Sequence, residues 1–188
     1  MIRMVRVSVA AVVLLAVGVA CAPTALPTPT KETVEVKYGD RRAVGAQQKP
    51  VVICNNINAH NPTWNELIAF LKADRTNDQL CVPGSFSCAE YSVMLHDNAE
   101  AKDIRAALVL MEINRDGGTL YHSLNAFDVV NDGLVFIDAV APSWRTGVDK
   151  VVYIEVGKEY KVVGIIDGLP PDTFGYIGIV EEIQPPQW

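Results

Sequence analysis

"SCAEYSVMLHDNAEAKDIRAALVLMEI", Ser87 to Ile113, decides the fold. Ser87 and Glu90 stand at capping-box spacing, in which the serine hydroxyl takes a free helix N–H and the glutamate returns to the serine's own. The spacing predicts a helix that begins at Cys88. Tyr91, Met94, Leu95 and Asn98/Ala99 continue one face, and the pattern lasts to about Lys102. Ile104 to Ile113 is then rich in apolar residues and suits a buried strand.

The same signals extend in both directions. In "NPTWNELIAFLKADRT" (Asn61–Thr76), Thr63 and Glu66 form another capping box behind Pro62, and Trp64, Leu67, Ile68 and Leu71 make one apolar stripe. Loop signals follow to Phe86, with Asn77-Asp78 and Pro83-Gly84. Beyond Ile113, Asp116-Gly117-Gly118 is a turn, and Leu120–Val129 and Leu134–Ala139 are strands. "KVVYIEV" and "EYKVVGII" flank a turn at Gly157-Lys158, and "YIGIVEEI" completes the series. Helices first and antiparallel strands after give an α+β fold, with N-terminal helices packed on an antiparallel sheet. The terminal "IQPPQW" reads as a docking tail or a frayed end.

The first twenty residues are an export signal. Arg3 and Arg6 precede an apolar run, Val9 to Ala20, that is too short to span a bilayer comfortably and ends in small residues. Cys21 follows Gly18-Val19-Ala20 and opens "APTALPTPT". This resembles a lipobox, which makes Cys21 a lipidated N-terminus, with simple secretion as the alternative. Acyl chains hold a protein at a membrane surface by about 0.8 kcal/mol per buried methylene. Residues 21–48, Pro- and Thr-rich and then charged, read as a tether lifting a domain, residues 49–188, off the membrane.

Of 188 residues, 16 are basic and 22 acidic, for a net charge of −6. Removing the signal takes two arginines and leaves −8 on 168 residues, enough for one domain with a proper core. That acidity argues against a nucleic-acid partner. No His, Cys or carboxylate pair has metal-ligand spacing, so neither metal nor cofactor is expected. With Cys21 set aside, Cys54, Cys81 and Cys88 remain, and spacing leaves all three pairings open.

A thiol is a nucleophile as thiolate, and the free N–H groups of a helix start lower its pKa. A histidine in reach and an acid behind it complete the activation. His60 precedes the first helix. His96 lies eight residues along Cys88's own helix, about 12 Å at 1.5 Å per residue, too far to reach the sulfur. His122 starts a strand and Asp138 ends the next. A two-residue turn at Asp132-Gly133 would stagger them by about five residues, roughly 17 Å. A Cys88–His122–Asp138 triad therefore predicts a wider loop, about Asp128 to Gly133.

A cysteine opening a helix, "CAEYSVMLHDNAEAKDIRAALV", then a histidine on a strand and an aspartate in "FIDAVAP", resembles the transglutaminase-like superfamily of papain-like cysteine enzymes. The resemblance covers about Asn61 to Pro142, leaving 143–188 as a C-terminal β extension or a small module of its own. It implies Cys88 as nucleophile, His122 as general base and then acid, and Asp138 as the orienting acid. The backbone N–H of Cys88 would serve the oxyanion hole. Val82 stands where papain-type enzymes carry a glutamine, and Gln79 and Trp64 are possible substitutes. With Cys88 free, Cys54 and Cys81 become the natural disulfide, two separate buried thiols being the other reading. The implied activity is attack on an amide or peptide bond through a thioester, with hydrolysis favoured over acyl transfer. Export implies extracellular or cell-envelope peptide and protein substrates. The alternative is a non-catalytic binding or scaffold module on the same fold.

Overall fold

The computed structural model describes residues 31–82, 84–141, 148–166 and 175–188; the segment read as an export signal, Cys21 and the start of the expected tether lie outside them. Among these residues no helix is long and apolar enough to cross a membrane.

Both capping boxes form. Helix α1 (Trp64–Ala73) is capped by Thr63 with Glu66, and helix α2 (Cys88–Glu100) by Ser87 with Glu90. On α1 the buried residues are Leu67, Phe70 and Leu71, whereas Trp64 at the first turn is 39% exposed. The buried side of α2 carries Ser92, His96 and Glu100 among Ala89, Tyr91, Leu95 and Ala99. Each has a partner, which is what allows it inside. Glu100 accepts the N–H groups of Asn56 and Ala106, each at 2.8 Å, and Ser92 bonds Ser123. His96 pairs with Asp97 through Nδ1, while its Nε2 has no hydrogen-bond partner among the described residues.

Strands β5 (Ala107–Arg115), β6 (Gly118–Val129), β7 (Gly133–Asp138), β8 (Lys150–Tyr153) and β9 (Lys161–Ile165) form an antiparallel meander, and β10 (Ile179–Ile183) returns to pair with β5. The observed architecture is α+β, two helices on a six-stranded antiparallel sheet. Residues expected to form a separable extension thus supply three of the six strands. The sheet also curls onto itself. Gly157 N–H donates to Val180 O, Tyr160 N–H to Gly178 O and Val180 N–H to Lys158 O. The β8–β9 connection thereby covers the otherwise free side of β10, removing an open edge.

Alternation along the strands sorts side chains into two cores. Ala107, Val109 and Met111 of β5, Leu124 and Ala126 of β6, and Val152 of β8 line the inside of the curled sheet with Tyr160 and Val180. Phe127, Val129 and Ile137 face outward and receive α1 and α2 through Leu67, Leu71 and Leu95. Burial on both faces explains why the sequence of β5 is nearly continuous in apolar residues.

The tether expected through residue 48 is shorter. Strand β1 (Lys31–Glu35) pairs with β4 (Val52–Asn56), and β2 (Lys37–Tyr38) with β3 (Arg41–Arg42). Val34, Val36 and Tyr38 alternate with charged residues, a strand period obscured by the neighbouring Pro- and Thr-rich segment. Val36 is fully buried in a third cluster with Ile53, Ala89, Leu108 and Leu110. The terminal "IQPPQW" is neither docking tail nor frayed end. Gln184 N–H donates to Leu110 O, and Gln187 exchanges two backbone hydrogen bonds with Leu108, continuing β10 along β5.

Candidate active site

Cys88 is the first residue of α2, where backbone N–H groups lack intrahelical partners. The helix lies on the outer face of β6, and its first turn stops beside His122. In the thiol form the sulfur points to the backbone carbonyl of Tyr121 at 3.9 Å, and the His122 ring is close enough to act on its ionisation. His122 Nε2–H donates to Asp138 Oδ2 at 3.1 Å, leaving Nδ1 as the ring nitrogen for the sulfur. The three residues singled out in the sequence therefore meet in the order thiol, imidazole, carboxylate.

They do so without the wide loop. Strand β6 pairs with β7 up to Val129↔Gly133, so the connection is the three residues Val130–Asp132. Asn131 and Gly133 adopt positive φ, 70° and 74°, as a tight three-residue hairpin requires. Continuing that register sets Asp138 opposite Leu124 rather than His122, an offset of two residues. Two residues on adjacent strands share a face, and such diagonal neighbours lie about 7–8 Å apart at the backbone. Side chains as long as His and Asp span that gap, so direct opposition is unnecessary.

Asp138 is 2% exposed, and its carboxylate is fully engaged. Oδ2 also accepts the Tyr160 hydroxyl at 2.6 Å and faces the Lys150 ammonium at 3.0 Å, while Oδ1 accepts Val140 N–H at 2.9 Å. Lys150 sits directly across from Asp138 in the β7–β8 register and also donates to Val140 O at 2.8 Å. The Tyr160 ring meets His122 edge-on, centroids 5.8 Å apart.

The charges follow. Burial disfavours ionised Asp138, but Lys150 foremost, then His122 and Tyr160, hold its carboxyl well below the usual carboxylate range. Burial likewise disfavours the imidazolium, yet the charge and hydrogen bond of Asp138, joined by Cys88, push His122 up to about 10. Burial raises the Cys88 thiol, and the hydrogen bond and charge of His122, with donors from Ser123, outweigh it and bring it below its ordinary value. Tyr160 is held well above 10 by burial and by Asp138, so it stays a donor. Asp138 and Lys150 balance each other, and a Cys88 thiolate beside a His122 imidazolium would complete a neutral quartet. This arrangement suits a thiolate poised against a carbonyl.

Lys150, Tyr160 and Ser123 were not singled out from the sequence. Lys150 opens a strand after a loop, a common place for a solvated lysine, and the register with Asp138 was the missing signal. Ser123 is buried and accepts a hydrogen bond from Ser92 of α2 at 3.1 Å, a pairing invisible without the helix placed on the sheet. His96 is fully buried on α2 and pairs with Asp97 at 2.9 Å, and His60 sits 3.7 Å from Glu66, so neither joins the site.

Trp64 begins α1 beside the β6–β7 turn, where Val130 N–H donates to Pro62 O. That is the opposite end of β6 from His122, so Trp64 supplies no oxyanion donor. Gln79 lies near the start of α2, its carbonyl accepting the Tyr91 hydroxyl at 2.6 Å. Cys54, Cys81 and Cys88 are all free thiols here, and the expected Cys54–Cys81 link is not formed. Cys54 lies on β4, where its N–H donates to Asp97 of α2, and Cys81 lies in the loop ahead of that helix.

No family model, curated protein or solved structure matches the chain.

Proposed function

We propose that the protein is an exported, surface-tethered cysteine hydrolase of transglutaminase-like type, acting on amide or peptide bonds of envelope or extracellular substrates through a Cys88 thioester. The carrying observation is the placement of Cys88 at a helix start beside His122, whose ring is hydrogen-bonded to the buried Asp138. The thiolate attacks the carbonyl carbon, and the developing oxyanion is met by the free N–H of Cys88. His122 carries the proton that the leaving amine needs to depart; the resulting neutral imidazole then takes a proton from water as it attacks the thioester. Asp138 keeps the ring oriented throughout, since its other partners fix it in place. Hydrolysis is favoured over acyl transfer because no site for an acceptor amine is evident. Lipidation at Cys21 would keep this chemistry at the outer surface of the membrane.

The pH dependence of iodoacetamide labelling at Cys88, read by peptide mass spectrometry on the mature domain and on His122→Ala, tests the reading. Fast labelling below pH 7 that slows in His122→Ala is expected. Labelling confined to the region of pH 8.5 and indifferent to the substitution would make Cys88 an ordinary thiol and remove the basis for hydrolysis.

A further inference from the structure

A cleft of about 570 Å³ opens beside the site, with His122 at one end and Tyr38, Arg41, Arg42, Glu112 and Tyr121 among its walls. That volume suits a small ligand or a few residues of peptide. It lies between the β2–β3 hairpin and the outer face of β5–β6, where α2 has ended. Tyr121, adjacent to His122 in sequence, is 64% exposed and packs edge-on against Tyr38 with centroids 5.9 Å apart.

The hairpin is a built wall. Gly39 at φ 55° takes the first position of its two-residue turn, a geometry that glycine favours. The C-terminal segment then clamps the hairpin backbone. Gln187 Oε1 accepts Lys37 N–H at 2.8 Å, Gln187 Nε2 donates to Lys37 O at 2.6 Å, and Gln184 Oε1 accepts Gly39 N–H at 3.0 Å. The final residues of the chain thus hold the wall over the cleft.

Its charge runs against that of the chain. Lys37 to Lys49, "KYGDRRAVGAQQK", holds four basic residues and one acidic in a protein of net charge −6. Lys37 and Lys49 stand outside the cleft, whose charged walls are Asp40, Arg41, Arg42 and Glu112 beside His122. Arg42 is paired with Glu35 at 3.1 Å, and the Tyr38 hydroxyl faces both Glu112 and Glu182. Asp40 is exposed at the hairpin turn. Arg41 is exposed and forms no ion pair among the described residues.

We propose that this cleft is the specificity site for acidic peptides. Arg41 receives a substrate carboxylate, Tyr121 packs against the stem that carries it, and the neighbouring carbonyl is presented to Cys88. The assignment of the carbonyl rests on the hydrolase reading; the acidic preference of the cleft does not.

Protection of Cys88 from iodoacetamide at pH 8.5 reads cleft occupancy whether or not the thiol is activated. The probes are acetyl-pentaglutamate amide, with the pentaglutamine and pentalysine amides as controls. Pentaglutamate should protect at a concentration about 1.5- to fivefold below pentaglutamine, the span of one solvent-exposed ion pair. The difference should shrink at high salt, vanish in Arg41→Gln and return in Arg41→Lys. Unprotected labelling should be unchanged in both variants, because Arg41 does not touch the sulfur. Equal protection by the glutamate and glutamine peptides, or a preference that survives Arg41→Gln, would overturn the cleft assignment while leaving the triad standing. Ordinary labelling at low pH together with an intact, Arg41-dependent preference would instead sink the hydrolase reading and keep an acidic-peptide binding site.

Discussion

Replacing Asp138 with Asn probes the buried end of the site. His122 Nε2 and Asp138 Oδ2 lie 3.1 Å apart. Unit charges at that separation attract by about 5 kcal/mol at an effective dielectric constant of about 20. The rise of His122 from 6.5 to about 10 corresponds to about 5 kcal/mol at roughly 1.4 kcal/mol per pH unit. The two figures agree in order of magnitude, with burial opposing the shift and the Cys88 sulfur adding to it. In Asp138→Asn the attraction disappears, and the nearby Lys150 now disfavours a second cation. The His122 ring, followed by nitrogen NMR, should titrate at least about two pH units lower. Iodoacetamide labelling of Cys88 at pH 8, where the parent ring is still protonated and the variant ring no longer fully so, should slow by up to about tenfold, because a neutral imidazole no longer holds a thiolate.

Leaving Lys150 buried without its carboxylate costs about 3–5 kcal/mol, so Asp138→Asn/Lys150→Met is the companion that removes the pair together. The lower histidine midpoint is expected in both. Stability supplies an independent check. A histidine at 6.5 when unfolded and about 10 when folded stabilises the protein fully below pH 6.5 and loses that contribution as pH rises toward 10. The depressed Cys88 thiol contributes with the opposite sign in this window, so the comparison is made in a Cys88→Ala background. There the chain with Asp138 and Lys150 should weaken from pH 6.5 toward 10 in denaturant titrations, and the double variant should not. A His122 midpoint that stays near 10 in both variants would refute the assignment of its charge to Asp138.

Three further outcomes follow from packing and hydrogen bonding. Tyr160→Phe removes the 2.6 Å hydrogen bond to Asp138 and should cost about 1.5–3 kcal/mol, the range for a bond to a charged group, measured by guanidinium unfolding. Glu100→Gln places an amide NH2 against one of two buried N–H donors, those of Asn56 and Ala106; about 2–3 kcal/mol of destabilisation is expected in the same assay. Gly178→Ala would press a methyl group into the Asn114 carbonyl and the Ile113 side chain at a φ of 150°. It should cost about 2–3 kcal/mol and speed hydrogen exchange along β10 first.

What the sequence disclosed was mostly local. Capping boxes are read within four residues, and both formed with Thr63–Glu66 and Ser87–Glu90 in their expected roles. Cys88 and Asp138 could be singled out because each sits at an element end that short-range signals mark, whereas His122 lies inside β6 and was found as the strand histidine between them in chain order. The width of the β6–β7 connection was misjudged because it was derived from direct opposition of His122 and Asp138. Their side chains close a diagonal, so a loop of three residues suffices. Strands β1 and β2 were hidden for a different reason: Val34, Val36 and Tyr38 alternate with Glu35 and Lys37, and the Pro- and Thr-rich neighbour set the tone of the window.

Lys150 and Tyr160 show where local reading ends. Neither is near Asp138 in the chain, and both reach it because the meander folds β8 beside β7 and the curled sheet brings Tyr160 inside. That curl has a chemical consequence. It draws Asp138 into an interior otherwise lined by Ala, Val, Leu and Met, where an isolated carboxylate would take up a proton. Protonated, it would cease to stabilise the imidazolium, and the thiolate would lose its partner. Lys150, placed across the strand at 3.0 Å, supplies the charge that water supplies to an exposed carboxylate. The same closed sheet that excludes solvent from the orienting acid thus requires a cation beside it. A three-residue triad here is incomplete as an electrostatic unit until that fourth side chain is counted.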